Sequence, residues 1–423
     1  MRVTKIHHSS YSNSFNHPYI GDKKISLILP SRNEYETIGL YLSKFEDLFE
    51  KGYLHEIILA DSSDNSLTIN EFFSSAMSSK VFSNAIYSAL KIGRPLPIKA
   101  VNVFDSNYSK LFGKKCTRPG KAPGKGRTMY AGMAVASGTH YVFLDTDFYN
   151  IDSHFIKGLI APLVFDDARF VKATFEREDE WKTVLSSLQS KEASTKTNSL
   201  LMKSVNSRNI AHPLLNILQS SLLEYESISN FSGPLSGGYS ADSKLWLDMC
   251  IPTRYGVEIY SLMDLVRQFN STDSVYDVNL GVVEQTSADS AGQVLMAKNI
   301  IGSFFRYIQS NHPKYFSQIL SNPDIFTLSY IQRAISLSVH VDDPKIVYTY
   351  AKIIRKKLDN PTLLNKTFIL PPLNDNSYYL ANKDMFPAFA DTFSIERLEI
   401  LGLINTKNNI SADAEFLQEV KLT

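Results

Sequence analysis

Two aspartates separated by one residue, Asp145 and Asp147, close a short apolar run from Tyr141 to Leu144. A run of that length and character suits a buried parallel strand. Ligands of open α/β sheets bind beyond the carboxyl ends of such strands. Mg²⁺ and Mn²⁺ take one or two protein carboxylates there, together with substrate phosphate oxygens. Taken alone, Asp-x-Asp equally suits a turn that caps the next helix. The stretch upstream weighs toward metal and phosphate. Gly124-Lys125-Gly126-Arg127 opens a helix predicted to run through Met133, and a helix N-terminus with cations nearby is a phosphate site. The Walker pattern of a glycine, four residues and then Gly-Lys-Ser/Thr is absent, so an NTPase P-loop is not expected. A second glycine-rich stretch, Ser232 to Tyr239, either makes a plain turn or lets a substrate approach the backbone closely.

These residues need a scaffold, and the hydrophobic pattern supplies one. Ile25–Leu29, Glu56–Ala60, Ile98–Phe104, Phe170–Phe175 and Asp277–Val283 read as strands, alternating with helical patterns such as Ile38, Tyr41, Phe45 and Leu48. Alternation of that kind predicts βαβ units in a doubly wound sheet. From Ser290 onward helical periodicity takes over, with one stripe through Val294, Ile301, Phe304 and Ile308. We expect three regions: a flexible arm over residues 1–23, a catalytic α/β domain over 24–290, and a mainly helical region over 291–423 that serves packing and oligomerisation. A Ser/Lys/Thr-rich stretch from Trp181 to Ser207 reads as a mobile connection.

Composition narrows the class. The chain has 423 residues, 43% apolar and 21% charged, which is ordinary for a soluble globular protein. A net charge of +1 gives no broad field for a polyanion, so nucleic acid is not expected as a partner. The two cysteines, Cys116 and Cys250, lack metal-ligand spacing and fit free thiols in a reducing cytoplasm. The N-terminal stretch is polar, with no apolar signal region, and no run approaches the ~18 apolar residues of a membrane span.

The order of motifs carries a resemblance. Leu29-Pro30-Ser31-Arg32-Asn33-Glu34, Asp61-Ser62-Ser63-Asp64, Gly124 to Arg127, and Phe143 to Asp147 resemble the GT-A nucleotide-sugar transferases. Leu159 to Leu163, Val171-Lys172, Pro234 to Tyr239, Tyr255 to Ile259 and Val278 to Gly281 resemble glucosyl-3-phosphoglycerate synthases, over roughly residues 22 to 300. The resemblance implies a GT-A (Rossmann-like) fold with a mixed, mainly parallel sheet. It implies retaining transfer of a hexose, usually from UDP-glucose, to a small hydroxy acid such as 3-phosphoglycerate, with Mg²⁺ or Mn²⁺. Pro30, Ser31, Asn33, Glu34, Asp61, Ser62, Gly124, Lys125 and Thr146 would then line the nucleotide site. Asp145 and Asp147 would hold metal and sugar. Gly237, Gly238, Tyr239, Tyr255 and Glu258 would face the sugar and acceptor, and Asp147, Lys125 and Glu258 would carry the catalysis.

The chain departs from that family twice. The family's histidine metal ligand falls at Gln285, with Glu284 beside it as an alternative oxygen ligand. The family's acceptor-phosphate residues fall near Val205 and Ser207, so that Arg208, His212 or Arg254 must substitute, or else the acceptor differs. Two other readings stay open at this stage. One is transfer of a mannosyl or glucosyl group to glycerate, a saccharide or a modified nucleobase. The other is a nucleotide-sugar-binding protein weakened by the missing histidine. The apolar C-terminal stripes suit a homodimer.

Overall fold

The computed structural model describes residues 2–112, 124–177, 206–270, 273–285, 290–338 and 344–404. Residues 113–123, which include Cys116, and most of the connection expected to be mobile before Ser207 lie outside the described residues. Eight strands form one sheet: β1 (Arg2–His7), β2 (Ile25–Ser31), β3 (Glu56–Asp61), β4 (Ile98–Asn102), β5 (His140–Phe143), β6 (Phe170–Arg177), β7 (Tyr239–Asp242) and β9 (Ser274–Val283). Their order across the sheet is β1-β9-β6-β7-β5-β2-β3-β4. All neighbours are parallel except β7, which runs antiparallel to both β5 and β6. A small antiparallel pair, β8 (Ile251–Pro252) and β10 (Ile369–Leu370), lies apart. This is the mixed, mainly parallel sheet expected of a GT-A domain, and the region after residue 290 is helical as expected.

Successive side chains of a strand point to opposite faces, and the sheet accordingly divides two cores. Ile28, Ile58 and Ala60 belong to one, with the helices Lys125–Val135, Val257–Gln268 and Ser290–Asn311. Leu27, Leu29, Ile57 and Leu59 belong to the other, with the helices Ile38–Glu50, Leu67–Ser78 and Ser153–Phe165. The near-continuous apolar runs of β2 and β3 follow from burial on both faces. The C-terminal helices therefore share a core with the sheet. The helix Met385–Ile400 reaches β4, where the Ser394 hydroxyl oxygen accepts from the Ala100 amide at 3.0 Å. No described helix is long and apolar enough to cross a membrane.

The N-terminal stretch corrects the expectation of a loose arm. Arg2–His7 pairs in parallel with Ser274–Asn279 over six residues and closes one edge of the sheet. Its alternation is weak because only one neighbour covers it, and its partner lies far along the chain.

A buried ion pair fixes the helix that carries Lys125. Glu56 on β3 meets Lys99 on β4 at 2.9 Å, with the two side chains 2% and 0% exposed. Glu56 also accepts from the Ser137 amide at 2.6 Å and the Ser26 hydroxyl at 2.6 Å, tying the end of the helix to the sheet. Burial alone would raise the Glu56 pKa, but Lys99 and these donors together hold it below its ordinary value. Removing one member of a buried pair strands the other. Lys99→Met is expected to cost about 3–5 kcal/mol in urea unfolding near neutral pH. The loss should shrink as the pH falls and the stranded carboxyl takes up a proton.

Candidate active site

The first three loops meet beyond the strand ends. Asn33, with φ of 59°, adopts the left-handed conformation that asparagine tolerates better than most residues. Its amide side chain donates to Asp64 at 3.0 Å and accepts from the Asp64 backbone at 3.0 Å. The loops after β2 and β3 are thereby clamped together. Thr146 is buried and donates to the Pro30 carbonyl at 3.1 Å, joining the third loop to the first. Tyr41, on the helix after β2, donates to the Asp145 carbonyl at 2.8 Å and accepts from the Phe148 amide at 3.1 Å. The turn bearing both aspartates is held by its backbone, which frees their carboxylates for other work.

The two carboxylates take different partners. Lys125 lies 2.5 Å from Asp145 and 2.8 Å from Glu258, bridging them. Gly124, with φ of 85°, makes the turn that opens the helix and brings Lys125 to this place. Burial opposes the Lys125 charge, but Asp145 and Glu258 outweigh it and hold the ammonium well above its ordinary range. Glu258 sits in the first turn of the helix Val257–Gln268, where a helix N-terminus favours an anion. Asp147 instead accepts a hydrogen bond from the Gln285 amide nitrogen. Gln285 is delivered by the end of β9, which is latched to the Asp147 loop: the Tyr149 amide donates to the Glu284 carbonyl at 2.9 Å, and the Glu284 amide donates to Asn150 at 2.9 Å.

Around these groups lies a cavity of about 420 Å³, walled by Pro30, Ser31, Arg32, Glu34 and Ser62 on the nucleotide side and by Gly124, Lys125, Asp145, Thr146 and Asp147 at its centre. Arg254, Tyr255, Glu258 and Gln285 complete the expected set. Gly237 is not part of the cavity wall, but it packs against Asp145, whose carboxyl group a Cβ there would overlap. The sequence reading missed a further wall, made by Leu235 and by Gly292, Leu295, Met296 and Asn299 from the helix Ser290–Asn311. That helix's periodicity signalled packing, and nothing in its residue types distinguishes a cavity wall from a core face.

Several expectations need correction. Asp61 is buried among its own loop, accepting from the Ser63 hydroxyl at 2.6 Å, and Ser62 faces the cavity in its place. Burial raises the Asp61 pKa to about 6, despite the hydrogen bonds from Ser63 and Ser62. Glu284 is exposed and is not part of the cavity wall, so it is not placed as a metal ligand. His212 is buried, with its ring nitrogen 3.3 Å from the Ser232 carbonyl oxygen, and lies off the cavity wall. Gly238 and Tyr239 sit beneath the wall, with Tyr239 2% exposed in β7. The Arg208 side chain lies outside the described residues. Arg127 turns away, its guanidinium 5.8 Å from the Phe112 ring centre.

Glu34 shows how crowded with negative charge this corner is. Burial, reinforced by Asp147 and Asp145, raises its pKa from 4.5 to about 7. Between those values the folded protein keeps a proton that the unfolded chain has released, so stability falls as the pH rises through the window. Glu34→Gln is therefore expected to melt above the parent protein at pH 8 without divalent ions. The gap should close toward pH 4.

Asp147 and Gln285 fit a hard divalent cation. Among the described residues Gln285 Oε1 is buried without a hydrogen-bond partner, and carboxylate and amide oxygens are ligands that Mg²⁺ and Mn²⁺ accept. Among the described residues no cluster of three acidic, histidine or cysteine side chains forms a self-sufficient metal site. A cation here would complete its shell with substrate oxygens and water.

No family model matches the chain. It is 27% identical over 261 residues to glucosyl-3-phosphoglycerate synthase of Mycobacterium tuberculosis, a match covering 62% of this chain and 66% of that enzyme. It is 25% identical over 272 residues to the enzyme of the same name from Petrotoga mobilis, covering 63% and 69%. Among solved structures it is similar to the Mycobacterium tuberculosis enzyme in complex with Mn²⁺, UDP-glucose and glycerol 3-phosphate. The TM-score is 0.48 at 21% identity, with 71% of this chain and 82% of that chain covered.

Proposed function

We propose that the chain is a retaining glycosyltransferase that moves a hexose, glucose in the first instance, from a nucleoside diphosphate sugar to a small anionic hydroxy acid such as 3-phosphoglycerate. The observation that carries this reading is the bridge of Lys125 between Asp145 and Glu258, on the same turn as the Asp147–Gln285 pair. An ammonium has three donors. Two are used on the carboxylates, and the third is left for a diphosphate oxygen. Asp145, Lys125 and Glu258 together carry a net negative charge, which complements the positive charge that develops on the anomeric carbon as the diphosphate departs. The nucleotide lies along Pro30, Ser31, Glu34 and Ser62, with the hexose over Gly237 and Asp145.

Retention needs the acceptor hydroxyl on the face the diphosphate leaves. A departing phosphate oxygen is then in place to take its proton, and no protein nucleophile is required. Arg254, on the cavity wall beside Tyr255, supplies the cation for the acceptor's carboxylate or phosphate. Asp147 and Gln285 would hold a divalent metal, which when bound would neutralise charge on the leaving diphosphate. The names of the sequence relatives support this choice of donor sugar and acceptor. A cytoplasmic homodimer belongs to the same reading, supported by the exposed apolar residues Ile325, Leu328 and Ile335 of the helix Pro323–Ser338.

The test is nucleotide release from a panel of nucleotide sugars crossed with 3-phosphoglycerate, glycerate and simple sugars, with and without Mg²⁺. UDP-glucose with 3-phosphoglycerate is expected to give the largest Mg²⁺-dependent rate. Equal rates with and without an acceptor for every donor would reject the transfer assignment.

A further inference from the structure

Beneath the sugar-facing floor of the cavity lies a second lysine that the proposed chemistry does not use. Lys172, on β6, is 1% exposed. Its ammonium donates to the backbone carbonyl of Ser236 and, at 2.8 Å, to the Ser236 hydroxyl oxygen. The Ser236 hydroxyl in turn donates to the Ala173 carbonyl. The same ammonium lies 4.1 Å from the ring centre of Tyr239. Among the described residues no carboxylate is within ion-pair distance of it. Buried cations are costly when their company is neutral, so a lysine here calls for an account.

The account lies in the loop it holds. The glycine-rich stretch before β7 is tied at several points, one of them the Gly238 carbonyl, which accepts from the Ala173 amide at 2.9 Å. At its start, Asp277 on β9 accepts from the Ser232 amide at 2.7 Å. Near its end, Lys172 grips Ser236. The next residue is Gly237, whose α-carbon faces the Asp145 carboxyl so closely that a Cβ there would overlap it unless Asp145 moved. Asp145 then meets Lys125, and Lys125 meets Glu258.

We propose that Lys172 is a positioning residue for the donor site: by clamping Ser236 it seats Gly237 against Asp145, and so fixes where that carboxylate stands toward Lys125 and the hexose. An apolar side chain of the same length would fill the space, yet it would remove the donor on which Ser236 depends. Serine at 236 answers lysine at 172 with two acceptors at once. The surroundings keep the ammonium from being a simple surface charge. Burial pulls its pKa down to about 7 against the upward pull of Glu258, with Lys125 lowering it and Asp145 and Asp277 raising it. The role is one of placement, since Lys172 is buried and off the cavity wall. It rests on the transferase reading for what the placement achieves, but not for the clamp itself.

The experiment pairs kinetics with structure. Lys172→Met keeps similar bulk and, unlike Lys99→Met, strands no carboxylate in ion-pair contact, so its melting temperature should stay within about 3 °C of the parent protein. Its kcat for hexose transfer should fall about 10–100-fold, the scale of an ångström-sized misplacement, while the Kd for UDP moves less than about threefold, since the nucleotide wall is untouched. Ser236→Ala, which keeps the carbonyl half of the clamp, should lose less, and the double variant should be no worse than Lys172→Met alone. A crystal structure of Lys172→Met should show Gly237 and Asp145 displaced relative to Lys125. If those two residues keep their places, the clamp is refuted whatever the activity. A loss of melting temperature and UDP affinity in step with kcat would also overturn the assignment, because it would mark a structural role. A parent protein that releases no nucleotide from any donor would reject the transferase reading by itself and leave the crystallographic result to judge the clamp.

Discussion

Lys125→Met is expected to lower kcat about 10²–10³-fold, the usual cost of removing one preorganised charge-stabilising donor, and to destabilise the fold as well. The two effects share a cause and can be separated. Without the ammonium, Asp145 and Glu258 face each other with no cation between them, although each stood within 2.8 Å of one. Two carboxylates in such a setting do not both remain charged, and one takes up a proton at higher pH than usual. The stability deficit should therefore be largest at neutral and alkaline pH and shrink as the pH falls toward 4. Stranding buried charges costs about 3–5 kcal/mol, and the partial exposure of Asp145 puts this site at the lower end. Adding Glu258→Gln to Lys125→Met removes the like-charge contact. The double variant should recover most of the melting temperature and none of the turnover. Turnover within threefold of the parent protein in Lys125→Met would remove this lysine from the chemistry.

The residues of that triad were legible because each sits in a local motif whose physics is short-ranged. A glycine turn before a helix, a buried strand ending in acid and an acid in a first helical turn can all be read without knowing the fold. Their mutual pairing could not be read. The two aspartates look equivalent in the chain, yet the structure gives Asp145 to Lys125 and Asp147 to Gln285. What separates them is a latch between the Asp147 loop and the end of β9, more than a hundred residues away. Distance in sequence hid β1 for the same reason, since its strand partner among the described residues is β9. It also hid the antiparallel β7, whose glycine-rich approach reads locally as a turn. Met296 and Asn299 stand on a cavity wall because the helix Ser290–Asn311 packs on the helix Val257–Gln268 that bears Glu258.

Tertiary placement explains the corrections as well. Asp61 and His212 have residue types suited to ligand work, but Asp61 is turned into its own loop toward the Ser63 hydroxyl, and His212 is turned toward the Ser232 carbonyl. Glu284 and Gln285 are adjacent, so opposite faces of the strand end decide between them. One residue of register puts the amide in the cavity and the carboxylate in solvent. The side that faces Asp147 carries the weaker ligand of the two.

That choice sets up the other large effect. Asp147→Ala is expected to abolish measurable transfer, a loss of about 10³-fold or more if the metal supplies several kcal/mol to the departing diphosphate. The melting temperature should hold, because the turn is fixed by Tyr41 and Thr146 through backbone atoms. Mn²⁺ bound in the presence of UDP, read by its electron paramagnetic resonance signal, should disappear with the same substitution. Gln285 then has a defined part. Its amide nitrogen donates to Asp147, and since an NH₂ cannot face a cation, a metal here would be met by the amide oxygen. Gln285→Glu offers an oxygen in either orientation and adds charge, so Mn²⁺ affinity should rise about tenfold or more. At the same time the metal-free protein should lose stability above pH 5, as a further carboxylate joins Glu34 and Asp147. Unchanged Mn²⁺ affinity in both variants would move the metal away from this corner of the cavity, and with it the account of how the diphosphate leaves.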